Sequence, residues 1–413
     1  MSYIKRKLSE KLLFALKNNP IVFLNGPRQA GKSTLVKLLS EEGYNAEYVT
    51  FDNPTYMSAA SISPESFLKQ YTNSVIIDEV QMVPDLFRAL KFVVDELRFT
   101  KEESNGKFLL IGSANIMALP KLSEPLVGRM SIKTLYPLTV SEVTGGSSDF
   151  LNKLFAAEFK KNITSITLNE AIRSATFPEI YNKKADECSE WFDGYLTTIL
   201  QRDVRLITEL EKIGLLPTML RILATRAGGL INDAEIARDL GLNAVTSKSY
   251  RSVLKVIFLS FDVKPWYRNI GKRLVKSPKG YLIDTLMLCH LLDWNLDDLQ
   301  KRKPDLYGHV VENFVATELL KLLSFSDIRA NLMHFRTCDN KEVDFVLEKS
   351  DGTLVGIEVK TSDRVNSSDF NGLRVLQEVA KEDFICGIVL YAGKEVVKFG
   401  DKIFAVPLAN LWI

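Results

Sequence analysis

The sequence predicts an α/β fold: a parallel sheet with helices on both faces, then a compact helical segment with a hairpin, then a second α/β unit. Three observations lead there. Short apolar runs alternate with amphipathic stretches through residues 1–140, and such alternation is solved by a parallel sheet covered on both sides. The run Ile21-Val22-Phe23-Leu24 opens directly into Gly26-Pro27-Arg28-Gln29-Ala30-Gly31-Lys32-Ser33-Thr34, which fits G-x-x-x-x-G-K-[ST] at a strand-to-helix junction. A second apolar run, Val75-Ile76-Ile77, ends in Asp78-Glu79, and open α/β sheets hold their ligands at the carboxyl ends of strands.

Taken in order, the strands expected in the first part are Ile21–Leu24, Tyr48–Phe51, Val75–Ile77, Phe108–Ile111 and Ile132–Leu135. Helices are expected between them, including Ser33–Ser40 and Pro84–Leu97, followed by Phe155–Lys160, Leu168–Ser174 and Trp191–Arg205. Leu216–Ala227 reads as a helix, and Asn232 caps a second one that runs to Leu240. Gly241-Leu242-Asn243 makes a short turn before a third helix, Ala244–Val256, with Ile257–Tyr267 as a hairpin wing. The last part reads as helix His309–Leu323, strands Met333–Arg336, Glu342–Leu347 and Leu354–Val359, helix Phe370–Val379 and strand Ile385–Tyr391. The expected domains are 1–205, 206–284 and 285–413, with no internal repeats.

Composition excludes several classes. With 413 residues, 46% apolar and 25% charged, the chain is an ordinary globular protein of two to three domains. No apolar run approaches the ~18 residues that a membrane span needs. Lys17, Asn18, Asn19 and Pro20 interrupt the N-terminal segment, which is therefore not a secretory signal either. Cys188, Cys289, Cys338 and Cys386 lie far apart, and the chain has three histidines. Neither a zinc site nor a disulfide framework fits, and a cytoplasmic setting is expected.

The phosphate-loop pattern carries the first chemistry. Loop amides from Gly26 to Thr34 point inward as donors, Lys32 brings a mobile positive charge to the β- and γ-phosphates, and Ser33 offers its hydroxyl to Mg²⁺. Asp78 is placed to hold the water shell of the ion, and Glu79 to take a proton from the attacking water. The expected ligands are ATP and Mg²⁺. A polar residue just past Phe108–Ile111, here Ser113, falls beside the same loop, and Arg129 is a cation able to offset charge in the transition state. Ordinary structural roles compete with each of these: a solvated acidic turn for Asp78-Glu79, a strand-capping hydroxyl for Ser113 and a surface ion pair for Arg129. Arg28 is divided between a phosphate contact and an ion pair with a nearby acid.

Charge is unevenly spread. Between Leu242 and Gly280 nine basic residues face one acid, Asp262, giving +8 in a chain whose net charge is +2. On the helix after the tight turn, Thr246, Ser247, Lys248, Tyr250 and Arg251 are expected to be exposed, with Lys248, Tyr250 and Arg251 as the DNA contacts. A protein-docking face is the competing reading.

The end of the chain carries Glu342-Val343-Asp344-Phe345, then Gly356-Ile357-Glu358-Val359-Lys360. Alternation along a strand puts Glu358 and Lys360 on one face with Val359 turned to the core, and a hairpin places Asp344 beside them. Two carboxylates and a lysine on one face are able to hold Mg²⁺ against a phosphodiester, with Glu312 adding a carboxylate. This arrangement resembles the PD-(D/E)XK nuclease-like superfamily over roughly the last hundred residues. A surface strand pair of mixed charge gives the same pattern, and many relatives of that superfamily act as binding or scaffolding modules.

The whole chain resembles prokaryotic AAA-type ATPases in which a P-loop domain is followed by a winged helix and a C-terminal nuclease-like domain of unknown function. The resemblance rests on the P-loop, on Asp78-Glu79-Val80-Gln81, Ile111-Gly112-Ser113-Ala114-Asn115 and Leu126-Val127-Gly128-Arg129, and on Tyr136-Pro137-Leu138, Lys276-Ser277-Pro278-Lys279 ahead of Asp284, and the terminal acids. It implies a sensor role for Ser113 and, for Arg129, a nucleotide contact in its own chain or in a neighbouring copy. The chain departs from relatives at Thr176-Phe177-Pro178, where glycines usually precede the proline. The expected function is a Mg²⁺-dependent ATPase coupling nucleotide state to DNA contact and to a nuclease-like domain, with DNA and a second copy as partners and no membrane. The alternatives are a nucleotide-dependent switch or scaffold without nuclease activity, and a transcriptional regulator whose operator affinity ATP sets.

Overall fold

A computed structural model describes the chain except residues 1–2, 101–103, 114–125, 127, 160, 162–163, 205–211, 270, 272 and 274–275, and the side chains of 202 and 203. Ala114, Asn115, Val127, Lys272 and the helix ends at Lys160 and Arg205 thus lie outside the described residues. Two compact units are present: Met1–Pro137 with Asp203–Glu209 and Val256–Phe258, and Leu138–Arg202 with Leu210–Lys255 and Leu259–Ile413.

The first unit is built on five strands: β1 Ile21–Asn25, β2 Glu47–Thr50, β3 Val75–Asp78, β4 Phe108–Ile111 and β5 Met130–Thr134. They pair only in parallel, in the order β2-β3-β4-β1-β5. Every residue of β1 is buried, as a central parallel strand covered on both faces requires. Ile21 and Phe23 of β1, Ile77 of β3 and Leu110 of β4 share a core with Phe87, Leu90 and Val94 of the helix Leu86–Phe99.

The second unit begins with short helices. Thr139 opens Val140–Thr144 and Thr167 opens Leu168–Ser174, each with a reciprocal bond to a glutamate three residues on. A longer helix spans Ala185–Thr198 and passes into a π-helical stretch at Ile199–Asp203. At the Thr176-Phe177-Pro178 departure, Thr176 Oγ1 donates to Asp284 Oδ2 at 2.7 Å, and Phe177 packs among Trp191, Phe192 and Tyr195. The loop that lacks glycine is therefore fixed by its own side chains.

Helices Leu216–Thr225, Asp233–Leu240 and Ala244–Val256 follow. Asn232 Oδ1 accepts from the amides of Ala234 and Glu235, and Gly241 closes the helix in the left-handed region at φ 63°. The next strands, β6 Ser260–Pro265 and β7 Lys279–Leu282, are antiparallel. They do not form an isolated wing. Lys264 and Pro265 pair with Met333 and His334, so the hairpin continues the C-terminal sheet that the sequence reading set apart at residue 285.

That sheet is completed by β8 Ala330–Arg336, β9 Glu342–Lys349, β10 Leu354–Lys360, β11 Phe384–Tyr391, β12 Val397–Gly400 and β13 Ile403–Pro407, in the order β12-β13-β11-β10-β9-β8-β6-β7. The helix Asn371–Ala380 buries Leu373 and Leu376 against Val343, Val346 and Val389 of the sheet. The helix Pro304–Phe325 is exposed at its first turn and buried on nearly every side from Val310 to Leu322, polar residues such as Glu318 and Lys321 included. It starts earlier than the expected His309 because Pro304 fits a first helical turn. Among the described residues no helix is long and apolar enough to cross a membrane, and all four cysteines are unpaired.

Candidate functional site

The first candidate site lies at the carboxyl edge of the parallel sheet. Gly26 leaves β1 with φ 142°, and a Cβ there would stand 2.1 Å from the carbonyl oxygen of Leu135, so only glycine fits. The loop closes on its own cation, with Lys32 Nζ donating to Gly26 O at 2.9 Å and Pro27 O at 2.7 Å. Arg6, buried and far back in sequence, donates to Ala30 O at 2.7 Å and to Tyr136 O at 2.6 Å. The cradle is thus braced from outside by a side chain that no motif announced.

The neighbouring strand ends supply the acids. Ser33 Oγ donates to Asp78 Oδ2 at 2.7 Å, Tyr48 OH donates to the same oxygen at 2.6 Å, and the Glu79 amide donates to Asp78 Oδ1 at 2.9 Å. Burial, then the bond to Asp78, lifts the Tyr48 phenol above its ordinary range, so it remains a donor. Glu79 takes φ 55°, an uncommon left-handed conformation for a non-glycine residue and one that clusters at working sites. Its carboxyl is pushed above the usual glutamate value by burial and by Asp78, against Gln81, Arg28 and Lys32. Gln81 Nε2 donates to Glu79 Oε2 and, at 3.3 Å, to Ser113 Oγ. Ser33, Asp78, Glu79 and Ser113 therefore form one chain of contacts, with Gln81 and Tyr48 as links that sequence reasoning gave no role. The residues fit a Mg²⁺-triphosphate: a hydroxyl and a carboxylate lie 2.7 Å apart, beside a lysine whose present acceptors are loop carbonyls.

Arg129 is not brought to this cluster. It grips Asp95 through two bonds of 2.6 and 2.9 Å, which hold that carboxyl below its usual range. Its neighbour Met130 pairs with Ile21 at the amino end of β1, whereas the P-loop follows the carboxyl end. Four steps of strand separate them, about 13 Å at ~3.3 Å per residue. A contact from Arg129 to its own nucleotide is thus corrected to an ion pair at the opposite sheet edge.

The expected DNA face is also corrected. Lys248 is exposed, but Ser247, Tyr250 and Arg251 are buried. Tyr250 OH accepts from the Lys212 amide at 3.0 Å. Arg251 pairs with Asp233 at 2.9 Å and Asp262 at 2.8 Å, and Lys255 shares Asp262. Arg273 is bound to Glu348. Asp262 is the acid already counted in the +8 stretch, and Asp233 and Glu348, from outside it, offset two further charges.

At the C-terminal cluster, pairing of β9 with β10 places Phe345 opposite Ile357, and just beyond it Asp344 Oδ2 accepts from the Val359 amide at 2.9 Å. Val359 is half-buried and not a core residue. Lys360 Nζ donates to Glu358 Oε1 at 2.9 Å, so the two share a face as expected. The unexpected member is Lys279 from β7, 2% exposed, whose Nζ lies 3.0 Å from Glu312 Oε1, 2.5 Å from Glu342 Oε1 and 3.2 Å from Asp344 Oδ1. Burial alone would lower this ammonium, but attraction to Asp344, Glu312 and Glu342 outweighs it and the group stays above the ordinary lysine value. Burial and Asp344 push Glu312 up to about 7 and Glu358 up to about 8, the nearby lysines pulling against them. Glu312, Glu342 and Asp344 thus each turn an oxygen to the one ammonium of Lys279, and Glu358 turns one to Lys360.

Comparisons with known proteins give three family matches: an AAA domain over residues 18–144, a domain of unknown function (DUF8612) over 166–298, and another (DUF4143) over 307–411. The uncharacterized protein Rv2008c of Mycobacterium tuberculosis is 31% identical over 407 residues, covering 98% of this chain and 83% of that protein, and Mb2031c of Mycobacterium bovis matches equally. Among solved structures, the Walker-type ATPase PABY2304 of Pyrococcus abyssi aligns with 15% identity and TM-score 0.45, over 70% of this chain and 96% of that one. AMPPCP-bound DnaA from Aquifex aeolicus aligns with 15% identity and TM-score 0.30, over 62% and 90%.

Proposed function

The chain belongs to the prokaryotic AAA-type P-loop ATPases that carry a C-terminal DUF4143 domain, and from that membership we propose that it hydrolyses ATP with Mg²⁺ at the Gly26–Thr34 loop. The observation that carries this reading is the continuous line Ser33–Asp78–Glu79–Gln81–Ser113 at the carboxyl edge of the sheet. Ser33 and Asp78 would hold Mg²⁺, which would supply charge neutralisation on the phosphates. Lys32 exchanges its loop carbonyls for phosphate oxygens, a trade its flexible stem permits. Glu79, raised by burial, accepts the proton of the attacking water once ionised. Gln81 fixes the direction of that carboxylate, and Ser113 reports through Gln81 whether the γ-phosphate is in place. Arg129 acts, in this reading, on the nucleotide of a neighbouring copy. The test is phosphate release by the full chain: Lys32→Ala is expected to abolish it, and wild-type-like release by that variant would overturn the reading.

Coupling of nucleotide state to DNA contact is a second reading, supported by one observation: Lys248 stands exposed on the helix that follows the Gly241 turn. Lys248→Glu is expected to weaken duplex binding and flatten its salt dependence. Unchanged binding would favour a switch or scaffold that docks protein instead.

A further inference from the structure

We propose that the C-terminal acid cluster is a closed ion-pair hub and not a metal-dependent hydrolytic centre, because the ammonium of Lys279 stands between Glu312 and Asp344 where a divalent cation would have to stand. The distances decide it. Lys279 Nζ is 3.0 Å from Glu312 Oε1 and 3.2 Å from Asp344 Oδ1, with Glu342 Oε1 at 2.5 Å. Mg²⁺ needs oxygens at about 2.0–2.1 Å in an octahedral shell, so an ion drawing on Glu312 and Asp344 would overlap this ammonium and repel it. Two of the remaining groups are engaged, while Glu358 Oε2 is buried without a hydrogen-bond partner. Asp344 Oδ2 accepts from Val359 N at 2.9 Å, and Lys360 Nζ is turned onto Glu358 Oε1 at 2.9 Å instead of toward a substrate position.

Lys279 is built into its place. It lies on β7 with Tyr281, and residues two apart on a strand share a face. Tyr281 OH donates to the same Glu312 oxygen at 2.7 Å, so β7 sends two donors to one carboxylate. Across from β7, Gly228 N donates to Gly280 O at 2.9 Å. A Cβ at Gly228 would come within 3.0 Å of the Glu312 carboxylate, and its φ of 79° also asks for glycine. His334, buried nearby, is pushed down to about 4 by burial and by the Lys279 charge, as expected beside a permanent cation. The hub thus joins the β6–β7 hairpin, the helix Pro304–Phe325 and β9 by charge, alongside the β6–β8 ladder.

The test is Mn²⁺ binding to the nucleotide-free full chain, followed by the loss of the free-ion paramagnetic resonance signal and by calorimetry. Wild type and Asp344→Asn are expected to bind the same amount of Mn²⁺, because the cluster offers no site. Glu358→Gln is a second comparison with the same expectation. Lys279→Met is expected to gain one Mn²⁺ per chain and a Mn²⁺-dependent rise in melting temperature, both absent from the Lys279→Met, Asp344→Asn double variant. A Mn²⁺ site in wild type that Asp344→Asn or Glu358→Gln deletes would overturn the proposal. So would a folded Lys279→Met chain that gains none. If Lys279→Met does not fold, the wild-type comparison with Asp344→Asn and Glu358→Gln decides alone.

Discussion

Arg6 gives the most direct test of how the nucleotide cradle is held. Arg6 is 5% exposed and its guanidinium donates to Ala30 O at 2.7 Å and Tyr136 O at 2.6 Å, tying the interior of the P-loop to the segment after β5. Arg6→Met keeps most of the stem and removes both donors and the charge. A hydrogen bond to a charged group contributes about 1.5–3 kcal/mol, so stranding both carbonyls costs about 3–6 kcal/mol. Carbonyls accept water readily after small shifts, which places the expected loss near the lower end, about 3 kcal/mol. Against a typical total of 5–15 kcal/mol that is a large fraction, and at roughly 2–4 °C per kcal/mol the melting temperature falls by about 10 °C. Nucleotide at ~100 times its Kd returns about 2.7 kcal/mol, so a non-hydrolysable ATP analogue recovers most of the shift. Because Ala30 lies inside the loop, the analogue itself binds about tenfold more weakly, a difference of about 1.4 kcal/mol. Scanning fluorimetry with and without the analogue, and titration of a fluorescent nucleotide, measure the two effects. Wild-type melting and affinity in Arg6→Met would refute the bracing argument. A lower melting temperature with unchanged affinity would refute its link to the loop.

Glu79→Gln is expected to lower kcat by about 10²–10⁴-fold with little change in nucleotide affinity, since a general base acts only on the chemical step. Since burial raises its carboxyl, the acid limb of the wild-type kcat profile should lie above the ordinary glutamate value of about 4.3, and a limb at or below that value would count against the assignment. Arg251→Ala removes a buried cation shared by Asp233 and Asp262 and is expected to destabilise its unit by about 3–5 kcal/mol in chemical denaturation, leaving the salt slope of any DNA binding unchanged. Glu358 keeps a proton in the folded state up to about 8, while the unfolded chain releases it near 4.3, so this group's contribution to stability declines as pH rises between those values, by at most about 1.4 kcal/mol per unit. Calorimetry should therefore show the melting temperature of Glu358→Gln gaining on wild type from pH 6 to pH 8.5, and a constant difference would contradict the raised carboxyl.

What was legible in the sequence follows from the range over which each signal acts. The P-loop, Asp78-Glu79 and the strands Phe108–Ile111 and Val75–Asp78 are local patterns: a buried central strand must be apolar, and a turn that admits Gly26 admits nothing else. Helix Leu168–Ser174 and helix Ala244–Val256 were bounded correctly because their caps and turns are written within a few residues. Edge strand β12 was missed, since Val397–Gly400 is short and largely exposed and gives no buried run, and the inner strand β13, Ile403–Pro407, was missed although it is largely buried.

The errors share one physical origin: a charge window counts neighbours along the chain, whereas electrostatics counts neighbours in space. Arg251, Arg273 and Lys279 read as part of a free +8 surface, yet they meet Asp233, Glu348 and a trio of carboxylates drawn from one helix and β9. A signal was available for Lys279, which closes the Lys276-Ser277-Pro278-Lys279 segment and is followed by the continuous apolar run Tyr281-Leu282-Ile283 of a buried strand, where an isolated lysine has to find a buried acid. Applied to the three acidic positions of the C-terminal motif, the same reasoning says that an acidic triad specifies a metal site only after every cation reaching it has been counted. Here the count includes Lys279, which lies more than sixty residues before Asp344, and the ion-pair proposal rests on that lysine.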